Sequence, residues 1–374
     1  MKVCRRTRVP HAIDCMDKTP RSVIRDEIRS IAPYHVAESR GMVKLDAMEN
    51  PFGLPAELRA RIAELASVAS LNRYPDPGAV KLKARLREVM PIPEGMELLL
   101  GNGSDELIQI LTLAVNRPAS VLLGVEPSFV MFRMVAAWTG IRYVGVPLTS
   151  EFGLDIQRLR SAMREYQPAL TFIAYPNNPT GNLFDGEAIR TLIEASPGLV
   201  VVDEAYHAFA GCSFLPELAR YPNLLVMRTL SKLGLAGLRL GMLIGRPEWL
   251  SELDKLRLPY NVNVLTQQIA ACVLERPDIL DAQAVAIRDE RARLLAGLQS
   301  LPGVRAFPSD ANFILFRVAR ADVVFSGLKA RGVLIRNLSG SHASLTDCLR
   351  VTVGTADENG RFLNALRQCL LQAA

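Results

Sequence analysis

The 374-residue sequence has few cysteines and histidines, and neither residue type occurs in a metal-binding or redox pattern. None of the six cysteines forms a Cys-x-x-Cys pair, which excludes zinc ribbons and thioredoxin-like redox sites. The four histidines lack His-Glu-x-x-His spacing, so we expect no metal ion. No segment approaches the roughly 20 apolar residues of a membrane helix, and no apolar signal segment is present. We therefore expect free thiols, a cytoplasmic location and no membrane partner.

A large excess of one charge is also absent, because 44 Lys and Arg residues are balanced by 38 Asp and Glu residues. The net charge of +6 is mild for this length, and no block of like charge concentrates it. Such a balance suits anionic small molecules as well as nucleic acid. The hydrophobic fraction of 49% is typical of globular proteins and excludes disordered, collagen-like and coiled-coil chains.

The N-terminal segment is basic and lacks periodic hydrophobicity. We interpret residues 1–21 as a disordered tail or an over-extended start, with Met16 as an alternative first residue, in preference to a targeting peptide. The residues that follow, Ser22–Ile31, have the spacing of a short amphipathic helix.

Apolar runs alternate with helical segments between about Leu98 and Gly245, which predicts a mostly parallel sheet covered by helices. Nearly continuous hydrophobicity, typical of strands buried on both faces, occurs in Ser120–Gly124, Ile141–Val146, Leu170–Ala174, Leu199–Val202, Leu224–Met227 and Leu240–Ile244. The helical segments that separate most of them are Asp105–Val115, Ser128–Trp138, Ile156–Glu165 and Asp185–Ala195.

The pattern changes after Pro247, where a long amphipathic helix is predicted over Ile279–Leu298. A smaller α/β unit is predicted to follow, with the elements Asn312–Val318, Ala321–Ala330, Gly332–Ile335, Leu349–Val353 and Glu358–Leu371. We predict an α/β fold with a large cofactor-binding domain over residues 51–275 and a small domain over residues 276–374. We expect the N-terminal segment, residues 22–50, to be part of the small domain.

Three of the predicted strands run directly into polar segments, and the carboxyl ends of parallel strands are where ligands collect. These segments are Tyr175–Gly181, Asp203–Tyr206 and Arg228–Lys232. Each has an ordinary structural explanation as a tight turn, a helix cap or a solvated loop. Their joint occurrence at corresponding positions favours one shared crevice with a chemical role.

Pyridoxal phosphate chemistry requires this set of groups, because the cofactor needs a lysine, an acid for its pyridine nitrogen and donors for its ring oxygen. Lys232 suits covalent attachment of the cofactor and transfer of the substrate proton. Asp203 suits the protonated ring nitrogen, since a neighbouring cation keeps a buried carboxylate ionised. Asn178 and Tyr206 can bind the phenolic oxygen.

An anion cradle for the cofactor phosphate is predicted from two further segments. Ser231 and Arg239 can donate to a phosphate, Arg239 through charge-assisted bonds. Gly103, Ser104 and Asp105 precede an apolar helix, whose N-terminal N–H groups attract anions. Phe129, in the segment Glu126-Pro127-Ser128-Phe129, can stack on the pyridine ring or belong to the core.

These residues resemble those of fold-type I pyridoxal-phosphate enzymes of the aspartate aminotransferase superfamily, and more narrowly those of histidinol-phosphate aminotransferases. The resemblance extends over nearly the whole chain after about residue 22. It rests on Lys44–Gly53 (KLDAMENPFG), Arg73–Pro77 (RYPDP), Leu99–Ile108 (LLGNGSDELI), Asn178–Gly181, Asp203–Tyr206, Ser231–Gly241 (SKLGLAGLRLG) and Leu349–Gly354 (LRVTVG).

The resemblance implies a homodimer with shared active sites, in which Tyr74 reaches the cofactor phosphate of the neighbouring subunit. It also implies that Arg350 binds the anionic end of the substrate and that Arg336 binds the substrate phosphate, for which two guanidinium groups are well suited. Tyr34 and Asn50 match substrate-side positions. Nucleic acid is not an expected partner, because regulators with this fold carry an added DNA-binding domain.

Three departures from the family pattern are visible. Many relatives have one more residue between the lysine and the arginine placed here at Lys232 and Arg239, and a Tyr at the position of Met242. The segment after Tyr34 also lacks the Pro-Gly often found there.

The activity that the resemblance implies is transamination between L-histidinol phosphate and 2-oxoglutarate, giving imidazole-acetol phosphate and L-glutamate, in histidine biosynthesis. Three alternatives stay open at this point. They are an aromatic amino acid aminotransferase, a decarboxylase of a phosphorylated amino acid on the same scaffold, and a non-catalytic binding protein.

Overall fold

A computed structural model describes residues 19–33 and 37–373 of the chain. Its contacts divide the chain into two units, residues 1–37 and 38–374. Most of the predicted tail and Tyr34 lie outside the described residues, whereas every other candidate site residue lies in the second unit.

The N-terminal unit contains two single helical turns, α1 (Pro20–Val23) and α2 (Asp26–Arg29). The single helix predicted over Ser22–Ile31 is therefore wrong. Ile24 and Arg25 between the turns are extended, with φ/ψ of −85/131° and −54/144°. Ser22 Oγ donates to the carbonyl of Thr19, which closes the first turn locally, and β-branched residues such as Ile24 do not favour its continuation.

The strands form one large and two smaller sheets. In chain order they are β1 (Val43–Lys44), β2 (Glu97–Asn102), β3 (Val121–Glu126), β4 (Arg142–Pro147), β5 (Leu170–Ala174), β6 (Leu199–Asp203), β7 (Leu224–Thr229), β8 (Leu240–Gly245), β9 (Val304–Ala306), β10 (Phe313–Val318), β11 (Val333–Leu334), β12 (Arg336–Asn337) and β13 (Cys348–Thr352).

The helices of the second unit surround these sheets. In chain order they are α3 (Ala56–Val68), α4 (Val80–Val89), α5 (Ser104–Val115), α6 (Val130–Thr139), α7 (Ile156–Tyr166), α8 (Gly186–Ala195), α9 (His207–Ala210), α10 (Pro247–Asp254), α11 (Val264–Val273), α12 (Pro277–Gln299), α13 (Ala321–Ala330) and α14 (Ala356–Ala373).

The large sheet has seven strands in the order β2-β8-β7-β6-β5-β3-β4. Its pairs are parallel except at β8, which runs antiparallel to both β2 and β7. Successive residues of a strand face opposite sides, so Val200 and Val202 pack into one hydrophobic cluster and Leu199 and Val201 into another. Burial on both faces explains the unbroken apolar runs, and the predicted α/β fold with a mostly parallel, helix-covered sheet is confirmed.

The second core surrounds a four-stranded antiparallel sheet in the order β12-β13-β10-β9. A separate two-stranded ladder joins β1 to β11 in parallel, with Val43 opposite Val333. The strand predicted over Gly332–Ile335 corresponds to the shorter β11, and the strand β12 that follows it in a different sheet was not predicted. The domain boundaries at residues 50/51 and 275/276 stay predictions, because residues 38–374 form one contact unit.

The described residues also bear on membrane, metal and disulfide chemistry. No helix in this part of the chain is both long and apolar enough to cross a membrane. The same residues contain no group of three or more His, Cys, Asp or Glu side chains placed to hold a metal ion. Cys212, Cys272, Cys348 and Cys369 are free thiols.

Candidate active site

Three neighbouring parallel strands bring the predicted chemical groups to one edge of the large sheet. Asp203 is the last residue of β6, with Ala174 of β5 opposite on one side and Met227 of β7 on the other. Asn178 follows β5 after a short turn, and Lys232 lies in a single 3₁₀ turn, Ser231–Leu233, that follows β7. The strand register therefore places an amide, a carboxyl and an amine at the carboxyl ends of adjacent strands, where open α/β sheets bind ligands.

A cavity with about 540 Å³ of empty space, its open mouth included, occupies this edge. The sequence-predicted residues that line it are Ser104, Asp105, Phe129, Asn178, Asp203, Tyr206, Ser231, Lys232 and Arg239. The sequence reasoning missed Met48, Ala174, Pro176, Ala205 and Thr229. Most of these residues are next to a predicted site residue in the sequence. Their position beside the predicted motifs is therefore the feature that could have identified them.

Lys232 extends its partly buried amine into this cavity. Its Nζ donates to the carbonyl of Ala47 at 3.3 Å and lies 5.9 Å from the centre of the Tyr206 ring. Burial, reinforced by the positive charge of Arg350, lowers the pKa of Lys232 from 10.5 to about 8. The amine is therefore much more readily deprotonated, and hence nucleophilic, than an ordinary lysine.

Asp203 is buried at the inner end of the same cavity, with 4% of its surface exposed. Its Oδ1 accepts a hydrogen bond from the backbone N–H of Ala205 at 3.0 Å. Burial raises the pKa of this carboxyl from 3.8 to about 7, because that single bond and the charge of Lys232 offset little of the desolvation. A cation bound against Asp203 would restore its ionised form.

Asn178, Tyr206 and Arg350 form a buried chain of hydrogen bonds on the other side of the cavity. Asn178 Nδ2 donates to the hydroxyl of Tyr206 at 3.1 Å, and Arg350 Nη1 donates to Asn178 Oδ1. Arg350 Nη2 also donates to the carbonyl of Asp46 at 3.0 Å. The chain connects Arg350 of the four-stranded sheet to the strand ends of the seven-stranded sheet, and so fixes the orientation of the Asn178 amide and the Tyr206 phenol.

The glycine-rich segment before α5 brings the N-terminus of this helix close to Arg239 and to strand β8. Gly103 has φ of +82°, and a Cβ there would lie 2.7 Å from Arg239 Nη2, so only glycine fits without displacement. A Cβ at Gly241 on β8 would overlap the backbone nitrogen of Ser104. Arg239 Nη2 lies 3.4 Å from Asp105 Oδ2. The shorter segment between Lys232 and Arg239 therefore still brings the guanidinium to the helix N-terminus.

Ser231 is held beside Lys232 by a threonine that the sequence analysis did not select. Its hydroxyl oxygen lies 2.9 Å from Thr229 Oγ1, and its backbone N–H donates to the same oxygen at 3.1 Å. Thr229 Oγ1 in turn donates to the carbonyl of Leu240 on β8. This arrangement fixes the turn that carries Ser231 and Lys232 against the antiparallel strand.

The aromatic candidates occupy different places. Phe129 lines the cavity at the N-terminus of α6, and its ring meets Phe132 edge-on at 5.5 Å. Tyr74 does not line the cavity of its own chain. It is 80% exposed and stacks on Tyr260 with a ring separation of 4.3 Å.

Of the candidate substrate residues, Arg336, Arg350 and Asn50 are not among those that line the cavity. Arg336 on β12 is directly opposite Arg350 on β13, which puts both side chains on one face of the sheet. Asn50 donates to the carbonyl of Leu233 at 3.2 Å and to Gln283 Oε1 at 2.8 Å, and its Oδ1 accepts from Phe52 N–H. Its amide therefore holds the segment after Lys232, and contact of Asn50 with substrate stays a prediction.

The donor set fits pyridoxal phosphate. The cavity offers an amine of lowered pKa, a buried carboxyl that requires a cation, a phenol and amide pair, and a cradle at the N-terminus of α5, where a Cβ at Gly103 would crowd the Arg239 guanidinium. The cradle also includes the guanidinium of Arg239 and the hydroxyl groups of Ser104 and Ser231. Each part of the cofactor, from ring nitrogen to phosphate, has a matching group.

A fold of this class with such a site is that of a cofactor-dependent transferase, and comparison with known proteins specifies the family. The model of the family described as aminotransferase class I and II matches residues 40–366, so the chain belongs to this family. It is a pyridoxal-phosphate-dependent aminotransferase, and pyridoxal 5'-phosphate is its cofactor.

Individual relatives and a solved structure agree with this family assignment. The chain is 56% identical to histidinol-phosphate aminotransferase 2 of Nitrosococcus oceani, over 92% of this chain and 96% of the relative. It is 51% identical to histidinol-phosphate aminotransferase 1 of Ralstonia nicotianae, over 93% and 94%. The crystal structure of histidinol-phosphate aminotransferase from Sinorhizobium meliloti in complex with pyridoxal-5'-phosphate matches with a TM-score of 0.85 at 25% identity, covering 94% of this chain and 99% of that one.

Proposed function

We propose that the protein transfers the amino group of L-histidinol phosphate to 2-oxoglutarate, giving imidazole-acetol phosphate and L-glutamate, as a step of histidine biosynthesis. The relatives named histidinol-phosphate aminotransferase support this proposal. The observation that carries it is the cross-strand pair of Arg336 and Arg350, because two guanidinium groups on one face suit a phosphate dianion. A carboxylate substrate requires only one of them.

The cofactor, when bound, withdraws electrons from the bonds at the substrate carbon that bears the amino group. Lys232 is the residue we assign to covalent attachment and to proton movement, since its amine of lowered pKa can accept the proton from that carbon. Asp203 would stabilise the positive charge on the ring nitrogen, and the pairing would return the Asp203 carboxyl to its ionised form.

The remaining residues bind and orient. Asn178 and Tyr206 would bind the phenolic oxygen, and their own hydrogen bond keeps both side chains in place. Ser104, Ser231, Arg239 and the N–H groups after Gly103 would bind the cofactor phosphate. Phe129, which lines the same cavity, would contact the ring.

We also propose that the protein forms a homodimer in which Tyr74 binds the cofactor phosphate of the partner. Tyr74 is 80% exposed and lies outside its own cavity. Its stacking on Tyr260 joins two segments with exposed apolar side chains, which include Val68, Leu71 and Leu258. Several exposed apolar side chains in two segments that contact each other are typical of a protein interface.

The experiment that tests the substrate is a visible absorption spectrum of the cofactor-loaded protein before and after one equivalent of L-histidinol phosphate, without any keto acid. Loss of the yellow band with growth of the pyridoxamine phosphate band supports the proposal, and Lys232→Ala should show neither the starting band nor turnover. A yellow protein whose spectrum does not change with this amine, but changes with an aromatic amino acid, would contradict the proposed substrate and support the cofactor. Release of CO₂ from a phosphorylated amino acid would identify a decarboxylase instead.

Steady-state kinetics provide a second test. The first half-reaction leaves the amino group on the enzyme and releases its product before the second substrate binds, which is a ping-pong mechanism. Double-reciprocal plots at several 2-oxoglutarate concentrations should be parallel. Intersecting lines would contradict this order of events.

A further inference from the structure

A buried cluster of Glu204, Arg228 and Ser213 lies directly behind the cofactor-binding edge and has no part in the chemistry described so far. Glu204 has 0% and Arg228 5% of its side chain exposed. Arg228 Nε and Nη2 both donate to Glu204 Oε2, at 2.9 and 2.8 Å. Ser213 Oγ lies 3.0 and 2.9 Å from the two Glu204 oxygens and accepts from Arg228 Nη2 at 2.8 Å. The backbone N–H of Phe214 donates to Glu204 Oε1.

The cluster is placed between the two strand ends that carry the essential groups. Glu204 follows Asp203 in the chain, and its backbone N–H donates to the carbonyl of Met227 at 2.7 Å. Arg228 is the next residue of β7, three residues before the 3₁₀ turn that carries Lys232. The ion pair therefore links the end of β6 to the end of β7 through side chains as well as through the backbone.

The energetics favour an orienting role over a purely stabilising one. Removing two opposite charges from water costs about as much as their attraction returns, so apolar side chains of similar volume would hold these strands at least as well. Loss of one partner alone leaves an uncompensated buried charge, which is costly. Hydrogen bonds between fixed groups, in contrast, specify the relative position of the two strand ends.

We propose that Glu204, Arg228 and Ser213 are positioning residues that hold the Asp203 carboxyl and the Lys232 amine at the separation that pyridoxal phosphate requires. The unit acts on the cofactor through Asp203 and Lys232 and does not touch it. The inference rests on the proposed cofactor contacts of these two residues and is independent of the proposed substrate.

The test measures the Kd of pyridoxal phosphate for the cofactor-free protein by absorbance titration, together with its urea unfolding midpoint. In Glu204→Gln the unfolding midpoint should fall and the Kd should rise about tenfold or more, about 1.4 kcal/mol of binding free energy. In the double variant Glu204→Gln/Arg228→Met, which removes both charges, the unfolding midpoint should recover while the Kd stays raised. In Arg228→Lys, which keeps the charge but not the two-donor contact, the Kd should rise about threefold.

The matched control is Glu194→Gln, which breaks the exposed pair between Glu194 and Arg220. Its Kd should stay within about twofold of the wild type, since exposed pairs contribute little. In the loaded variants of the cluster kcat should fall while the KM of the amine substrate changes little, because Arg336 and Arg350 are untouched.

A double variant that binds the cofactor as tightly as the wild type would overturn the inference. The ion pair of Glu204 and Arg228 would then only stabilise the fold. This variant also decides the matter if Glu204→Gln alone does not fold. Failure of the wild type itself to bind pyridoxal phosphate would instead remove the proposed cofactor contacts, and the inference with them.

Discussion

Burial moves the pKa values of the two central residues toward each other. The carboxyl of Asp203 is raised to about 7 and the amine of Lys232 is lowered to about 8, in both cases chiefly by desolvation. Both groups are thus poised near neutral pH before the cofactor binds, which is typical of functional sites. In the proposed binding mode both groups would be relieved, since Asp203 would face the protonated ring nitrogen of the cofactor and the Lys232 nitrogen would form the covalent bond to it.

The raised pKa of Asp203 should make the cofactor-free protein less stable as pH increases. Between about pH 4 and 7 the unfolded chain has released the Asp203 proton while the folded chain retains it, so the free energy of unfolding falls with pH. The expected slope from this residue is up to about 1.4 kcal/mol per pH unit. Urea unfolding of the cofactor-free protein at several pH values measures it. The difference between the wild type and Asp203→Asn isolates this contribution, and a difference independent of pH would contradict the assignment.

The lowered pKa of Lys232 predicts how cofactor attachment depends on pH. Only the neutral amine attacks an aldehyde, so the attachment rate should increase about tenfold per pH unit below pH 8 and level off above it. Stopped-flow absorbance after mixing with pyridoxal phosphate gives this rate. Arg350→Gln should move the midpoint of this pH profile to higher pH, because the positive charge of Arg350 contributes to the low pKa of Lys232. A wild-type midpoint near 10.5 would show that the site does not activate the amine.

Residues at the strand ends could be identified from sequence because each is adjacent to a recognisable buried strand. Thr229, Glu204 and Arg228 were not selected, since their roles depend on partners outside the local sequence. From the sequence alone, Arg228 is expected to be exposed to solvent. In the fold, the pairing of β6 with β7 buries it against Glu204. Asn50 resembles a substrate-side residue in sequence, yet in the fold its amide binds the segment after Lys232.

At the scale of whole elements, β2 and β8 form the support of the phosphate cradle. Gly101 is opposite Gly241 in their antiparallel register, and this pairing lets β8 pass close to the N-terminus of α5. Strand β2 was not predicted, because its final residues resemble a glycine-rich loop. The direction of β8 also could not be read from hydrophobicity, since a strand buried on both faces has the same pattern in either direction.

Replacement of Gly241 by Ala should therefore separate β8 from the helix N-terminus. The added Cβ overlaps the backbone nitrogen of Ser104, and relief of such overpacking typically costs 1–3 kcal/mol, so we expect roughly that loss of stability. We also expect weaker binding of pyridoxal phosphate, because the N–H groups of the cradle shift. Urea unfolding and cofactor titration measure the two effects.

Gly237→Ala is the matched control for this prediction. A Cβ at Gly237 meets no atom within 4 Å, although the residue precedes Gly241 by only four positions in the chain. Both measurements should be close to the wild type. Equal effects of the two substitutions would show that chain flexibility, and not close packing at Gly241, determines the cradle.

At the scale of the whole molecule, the seven-stranded and four-stranded sheets of residues 38–374 have to meet for the site to exist. Phe152 packs edge-on against Phe307 with ring centres 5.1 Å apart, and Arg305 is paired with Glu151. Arg350 then reaches Asn178 across this junction. The sequence predicted both α/β units but not these contacts, which join residues more than 150 positions apart.

The exposed apolar patch around Tyr74 predicts that assembly and cofactor binding are linked. Leu258, 70% exposed, belongs to this patch, and Leu258→Lys would place a charge in the proposed interface. We expect this variant to sediment as a monomer under conditions where the wild type sediments as a dimer. Its Kd for pyridoxal phosphate should rise about tenfold, because the partner's Tyr74 no longer reaches the phosphate.

Two further variants separate assembly from chemistry at this interface. Tyr74→Phe keeps the apolar ring, so it should remain dimeric and yet bind the cofactor more weakly through loss of the hydroxyl alone. Leu371→Lys alters a side chain that is 77% exposed near the end of α14, remote in sequence from the patch, and should change neither sedimentation nor cofactor affinity. A monomeric Leu258→Lys that retains wild-type affinity would show that each chain binds its cofactor alone, and Tyr74 would then have no role in the site.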